Sequence, residues 1–237
     1  MCIAIIQHSK HEKYAYFVAI NREELYHKRW LEMDFHWQEY PNCKGYLDVD
    51  SGGTWLAHNN TVLALLINKE ANDKATLKTR GFIVLESLKN SASAYEAIKN
   101  LSKLDVDSVK PFNVVFIDSK DVWFASNTCD DKILKIIDFK SIKDDLIVLN
   151  RTFPNDVSQI RVKNAFNNFE NLPQPQPELH NWTTWENELT KESIVVKPED
   201  EQTLWLKANQ WGTLQSDIIA ISYDETERFH FHHVKKI

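Results

Sequence analysis

Short β-rich runs fall in three groups along this chain, with helical segments between them, and that order constrains the fold more than any single motif. Residues 2–8 and 14–20 are apolar and β-rich; the polar link Ser9-Lys10-His11-Glu12-Lys13 between them predicts a hairpin. Residues 54–57 and 61–67 predict a second pair across Asn59-Asn60, because asparagine tolerates the left-handed backbone of a tight turn. Helices are predicted over 80–88 and 94–101. The second opens with Ser93-Ala94-Tyr95-Glu96, a capping pattern in which Ser and Glu satisfy exposed backbone donors. Strands follow at 113–117, 122–126, 133–137 and 146–149. An amphipathic helix is predicted over 156–169, with Val157, Ile160, Ala165, Phe166 and Phe169 on roughly one side. Helices near 182–190 and 199–209 lead to final strands at 217–222 and 228–234. Strands and helices alternating in groups predict stacked sheets flanked by helices, an α+β architecture.

A chain of 237 residues buries enough surface to form one domain spanning 1–237. Pro173, Pro175 and Pro177 alternate with Gln, and 172–178 reads as an extended surface connector rather than a boundary, because the remaining C-terminal stretch is too small for its own core. The formal net charge of -6 comes from mixed charges with no basic stripe, which argues against a nucleic-acid partner. No stretch approaches the roughly 20 apolar residues of a membrane helix, so no membrane span is expected. The opening MCIAIIQHSKHEK lacks the basic start, long apolar run and small-residue site of a signal peptide. Cys2, Cys43 and Cys129 are an odd, widely spaced set that fits a reducing compartment. A cytoplasmic location is therefore expected, and oligomeric state is not encoded legibly.

Cys2 carries the sharpest chemistry. Methionine aminopeptidase removes Met1 when the next residue is small, and the chain would then begin with a thiol and a free α-amine on one residue. The thiol titrates near ~8.5 and the amine near ~7.7–8.0, so the neutral amine can accept the thiol proton at physiological pH. A lowered thiol pKa and fast alkylation are expected of such a pair. Glycine is scarce, 5 in all against a usual share of roughly 7%. Four of the five are Gly52, Gly53, Gly81 and Gly212, which predicts positive φ or close backbone approach at those places.

Met1-Cys2-Ile3, then Asn21-Arg22-Glu23-Glu24 after a strand, then Gly52-Gly53-Thr54-Trp55-Leu56 resemble the N-terminal signature of the NRDE family, which is transport and Golgi organisation 2-like. Asn68, Arg80-Gly81, Phe112-Asn113, Asn150 and Trp211-Gly212-Thr213 follow in the family's order and carry the resemblance over essentially the whole chain. The resemblance implies the fold of the N-terminal nucleophile hydrolases, a four-layer αββα sandwich. It also implies roles: Cys2 as nucleophile, Asn21 and Glu23 orienting its amine, and Asn150 stabilising the oxyanion. Arg22, Trp55, Asn68, Arg80 and residue 214 are implied to line the ligand site. Three positions depart from the family: Glu23 stands for Asp, Ile67 for Thr, and Leu214 for the arginine of a Gly-Thr-Arg motif. The last removes a charge able to grip a carboxylate.

The expected function is an N-terminal cysteine amidohydrolase that cleaves a linear amide C–N bond through a thioester acyl-enzyme. The alternative is a non-catalytic carrier of a small ligand, lipid or haem, on the same fold. The partner in either case is a small-molecule substrate or ligand. No cofactor is required. His230 and His232 share a strand face at a metal-compatible spacing, but no Cys, Asp or Glu ligand pairs with them in the sequence, and no metal is expected.

Overall fold

A computed structural model of the chain describes residues 2–69, 79–127, 134–141 and 144–235. Cys129 and the first residue of the strand expected over 133–137 lie outside them. Contacts gather into two compact units, one made of residues 1–28 with 144–237 and the other of residues 29–143.

The chain begins with β1 (Ile3–His8) and β2 (Tyr14–Leu25), the antiparallel hairpin that the polar link predicts, closing with His8 opposite Tyr16. β2 runs on past residue 20, so Asn21-Arg22-Glu23-Glu24 lies inside a strand rather than after one.

The 29–143 unit comes next. Its strands are β3 (Trp30–Asp34), β4 (Lys44–Asp48), β5 (Leu56–His58), β6 (Leu63–Asn68), then, after α1 (Gly81–Leu88) and α2 (Ala94–Leu101), β7 (Phe112–Ile117), β8 (Val122–Ser126) and β9 (Lys135–Asp138). They form one antiparallel sheet in chain order, β3 to β9. Both helices cover one face, packing Val84, Leu88, Ala97 and Ile98 against Ala57, Ala64, Leu66, Val114 and Phe116. Asn60 takes φ 71 at the β5–β6 turn, the left-handed conformation anticipated there. At α2 the Ser93 hydroxyl accepts the Glu96 N–H at 3.2 Å, while the Glu96 carboxylate reaches back to the N–H of Ala92. Gly53 and Gly81 touch backbone to backbone. A Cβ on Gly53 would sit 2.5 Å from the Gly81 Cα, so only glycine lets the chain ahead of β5 lie against the start of α1.

The remaining elements rejoin the first hairpin: β10 (Leu146–Leu149), α3 (Ile160–Glu170), α4 (Thr183–Leu189), β11 (Glu192–Ile194), β12 (Trp205–Lys207), β13 (Trp211–Ser222) and β14 (Phe229–His233). The sheet order is β10-β1-β2-β13-β12-β11, with β14 also on β13. The helices α3 and α4 bury Val162, Ala165, Phe169, Trp185 and Leu189 against Ile3, Ile5, Phe17, Ala19, Ile218 and Ala220.

Several expectations need correction here. Residues 199–209 are not a helix; Pro198–Asp200 makes one 3-10 turn and β12 follows, parallel to β11. α3 starts at Ile160 and buries Arg161, Val162, Ala165 and Phe169, while Val157 and Ile160 are exposed. The strands β3, β4 and β11 were not anticipated; β3 and β11 lie largely at the surface, while β4 is a five-residue strand that buries Gly45 and Tyr46. Of the segment 172–178, Pro177 is buried and opens a 3-10 turn, so it is neither extended throughout nor wholly at the surface. Gln174 donates to Gln7 Oε1 and to the His8 carbonyl, and its own oxygen accepts the Lys10 N–H.

Candidate active site

Cys2 stands immediately ahead of β1 and is buried, 5% exposed. Its neighbour Ile3 pairs with Asn21 on β2, which brings the start of the chain beside the Asn-Arg-Glu-Glu segment. Burial raises the thiol pKa above its ordinary value, and the Glu23 carboxylate raises it further; a backbone hydrogen bond from Glu23 and the Arg22 charge oppose this. With Met1 still attached, desolvation and a like charge both disfavour the thiolate; the lowered pKa expected from sequence belongs to a chain that begins at Cys2 with a free amine. Cys2, Arg22 and Glu23 are nonetheless near enough to act on one another electrostatically.

Asn21 and Glu23 are fixed by a buried network. The Asn21 amide nitrogen donates to the carbonyls of Leu189 at 3.0 Å and Leu204 at 2.8 Å, and its Oδ1 has no hydrogen-bond partner among the described residues. The Glu23 side chain is 0% exposed and pairs with Arg161 of α3 at 2.8 Å and 3.3 Å. Thr213 on β13 adds a hydroxyl at 3.2 Å. Arg161 also donates to the carbonyls of Thr203 and Leu204, so its guanidinium is satisfied on several sides by fixed acceptors. The added methylene of Glu23 relative to Asp therefore ends in a bidentate ion pair. Arg161 was missed by sequence reading because its partner is 138 positions away and nothing local marks it.

Asn150 follows β10, whose Leu149 pairs with Ala4 of β1. Its Oδ1 accepts from the Thr152 N–H at 2.9 Å and hydroxyl at 2.7 Å, which assigns the amide orientation and leaves the nitrogen as its donor end. Leu214 is the extra residue of a bulge on β13, between the pairs Thr213↔Glu23 and Gln215↔Arg22, and is half-buried.

The other residues assigned to the ligand site lie in the 29–143 unit. Trp55 is buried and stacks on Tyr46, ring centroids 5.3 Å apart at 9°, with Trp30 edge-on to both. Asn68 ends β6 and is exposed. Arg80 spends its guanidinium on backbone, donating to the carbonyls of Pro111 at 2.9 Å and Lys69 at 3.1 Å. Elsewhere, His230 lies edge-on to Tyr14, and His232 stacks flat on Trp182. Among the described residues no group of three or more His, Cys, Asp or Glu side chains is placed to hold a metal ion. No helix among them is long and apolar enough to cross a membrane.

The sequence profile of the Transport and Golgi organisation 2 family matches residues 1–235. No curated protein sequence matches significantly. Among solved structures, the Caenorhabditis elegans ortholog of N-acylethanolamine-hydrolyzing acid amidase aligns with a TM-score of 0.58 at 11% identity, over 99% of this chain and 100% of its own. A variant of conjugated bile acid hydrolase from Clostridium perfringens aligns with a TM-score of 0.51 at 10% identity, over 98% of this chain and 92% of its own. These likenesses show the fold, α+β of the N-terminal nucleophile hydrolase type.

Proposed function

Since the chain belongs to the Transport and Golgi organisation 2 family, we propose that it acts as one domain, an N-terminal cysteine amidohydrolase that cleaves a linear amide C–N bond. The observation that carries the reading is the placement of Cys2, buried ahead of β1 and beside Asn21, Arg22 and Glu23 on the paired strand. Removal of Met1 converts the Cys2 nitrogen from an amide to an amine. Asn21 Oδ1, a buried acceptor on the residue paired with Ile3, then accepts a hydrogen bond from that amine. The neutral amine takes the Sγ proton, and the thiolate attacks the substrate carbonyl carbon. Asn150 donates to the oxygen that becomes negative, a contact of the kind worth about 3–4 kcal/mol in a preorganised site. The α-ammonium returns its proton to the leaving amine as the C–N bond breaks. Water, deprotonated by the same amine, hydrolyses the thioester. Both solved relatives are named as amide or conjugate hydrolases, which supports acyl amides as the substrate class. The free thiols of Cys2 and Cys43 suit a reducing, cytoplasmic setting.

A second reading has its own observation. The Cys2 thiol is held above its ordinary pKa by burial and by Glu23, which suits a non-catalytic carrier of a lipid or haem better than a poised nucleophile. Intact mass separates the two. Protein beginning at Cys2, mixed with lauroyl ethanolamide and quenched in acid, should gain one lauroyl group, and the Cys2→Ala protein should not. A chain that begins at Cys2, binds the amide and neither acylates nor releases amine would leave the carrier.

A further inference from the structure

Immediately after the bulge, β13 carries a buried polar line that none of the proposed chemistry uses. Asp217 is 0% exposed and accepts from two side chains: Gln215 Nε2 at 2.6 Å on its own strand, and His233 Nδ1 at 2.5 Å on β14. A carboxylate only accepts hydrogen bonds, so the nitrogen of the Gln215 amide must face Asp217 and the oxygen must face away. That Oε1 is buried and has no hydrogen-bond partner among the described residues, on a side chain only 9% exposed. An acceptor shut away from water without a donor is costly, and such a group in a folded protein calls for an explanation.

Its position supplies one. The bulge at Leu214 shifts the register so that Gln215, not Leu214, lies opposite Arg22. Arg22 in turn is one of the charges that act on the Cys2 thiol. Strand spacing near ~4.8 Å puts Gln215 about two strands from the start of β1, within the length of a small substrate. We infer that Gln215 Oε1 accepts a hydrogen bond from the substrate, and that the site selects neutral acyl amides whose amine part carries an O–H or N–H donor. Asp217 and His233 act as positioning residues that fix the amide with its oxygen outward. This inference rests on the amidohydrolase reading of Cys2.

The experiment uses two matched probes, lauroyl ethanolamide and its O-methyl ether, which differ only in the hydroxyl proton. Binding is measured by calorimetry on Cys2→Ala protein, and turnover on processed wild type. The hydroxyl probe should bind roughly tenfold more tightly than the ether, because rejecting it leaves a buried acceptor unpaired. Gln215→Met should bring the two within about twofold of one another, chiefly by weakening the hydroxyl probe. The wild-type ratio stands as evidence even where Gln215→Met fails to fold. Equal binding of both probes to the wild-type site, with turnover retained, overturns the role of Gln215 and leaves the hydrolase reading intact. Neither binding nor turnover of either probe overturns the acyl-amide reading, and this inference with it.

Discussion

The two units are built to one plan, a seven-stranded sheet with two helices on one face, yet they bury different chemistry. In the 29–143 unit the buried polar residues are mostly neutral, such as Thr54, His58, Asn113 and Asn127, and the buried carboxylate among the described residues is Asp118, which accepts the Ala94 N–H at the start of α2. The other unit buries Arg22, Glu23, Arg161, Glu188, Asp217 and Arg228. Buried charges are expensive and seldom add net stability, even when paired. The 29–143 unit holds together with fewer of them among its described residues. Arg22, Glu23 and Asp217 among them lie on β2 and β13, where buried charge is compatible with the chemistry proposed for Cys2.

The comparison breaks most visibly at Arg161. Changing Arg161→Met strands the fully buried Glu23 carboxylate, with an expected loss of about 3–5 kcal/mol in urea unfolding. Adding Glu23→Gln should recover part of that loss, since no charge is then left unpaired. A double variant no more stable than Arg161→Met would assign the loss to the Thr203 and Leu204 carbonyls instead.

The other unit answers to acid through a neutral group. His58 is buried, and burial, with Lys44 nearby, lowers its pKa to about 4 from an ordinary 6.5. The unfolded chain therefore binds a proton that the folded chain refuses between those values. Stability from this source is whole above pH 6.5 and is lost as pH falls toward 4, by up to about 3 kcal/mol. His58→Asn keeps an acceptor for the Asn60 N–H and should flatten the stability curve across that window. An unchanged curve would mean that other groups set the acid response.

A smaller loss is expected from packing alone. Gly53→Ala places a methyl group against the Gly81 backbone, and the overlap should cost about 1–3 kcal/mol. Thermal melts of the variant would show it.

Much of the fold was legible because local patterns agreed with it. α2 has the predicted bounds and its Ser93 cap, the β5–β6 turn has its left-handed asparagine, Gly53 and Gly81 sit where backbone meets backbone, and Gly52 takes positive φ. β11 and β12 were not legible, since three-residue strands carry no period and their pairing is decided by distant partners. The 156–169 segment was read by its apolar residues, and Arg161 was hidden beside Ile160, which is in fact exposed. The site divides in the same way. Cys2, Asn21 and Glu23 stand in a recognisable order along the sequence. Arg161, Gln215 and Asp217 are set by register and helix docking, and only three dimensions join them to it.

The smallest expected effect on stability belongs to Leu214→Arg, and it sharpens the comparison because it alters the site and spares the fold. Leu214 is the half-buried extra residue of the bulge, so it has no cross-strand partner in the ladder. An arginine there can lay its stem along the apolar surface and carry its charge toward water, so stability should change by no more than about 0.5 kcal/mol. Ligand preference should move much further. If residue 214 faces the ligand, the guanidinium gives a carboxylate-tailed amide such as lauroyl glycine a charge-assisted contact of about 1.5–3 kcal/mol, tenfold or more in affinity. Neutral lauroyl ethanolamide gains nothing comparable. Calorimetric titration of both probes into Cys2→Ala protein, with and without Leu214→Arg, reads the difference directly. A selective gain for lauroyl glycine places residue 214 at the ligand. Identical ranking by the two proteins places it elsewhere, and the loss of the family's arginine then has no bearing on which amides this protein accepts.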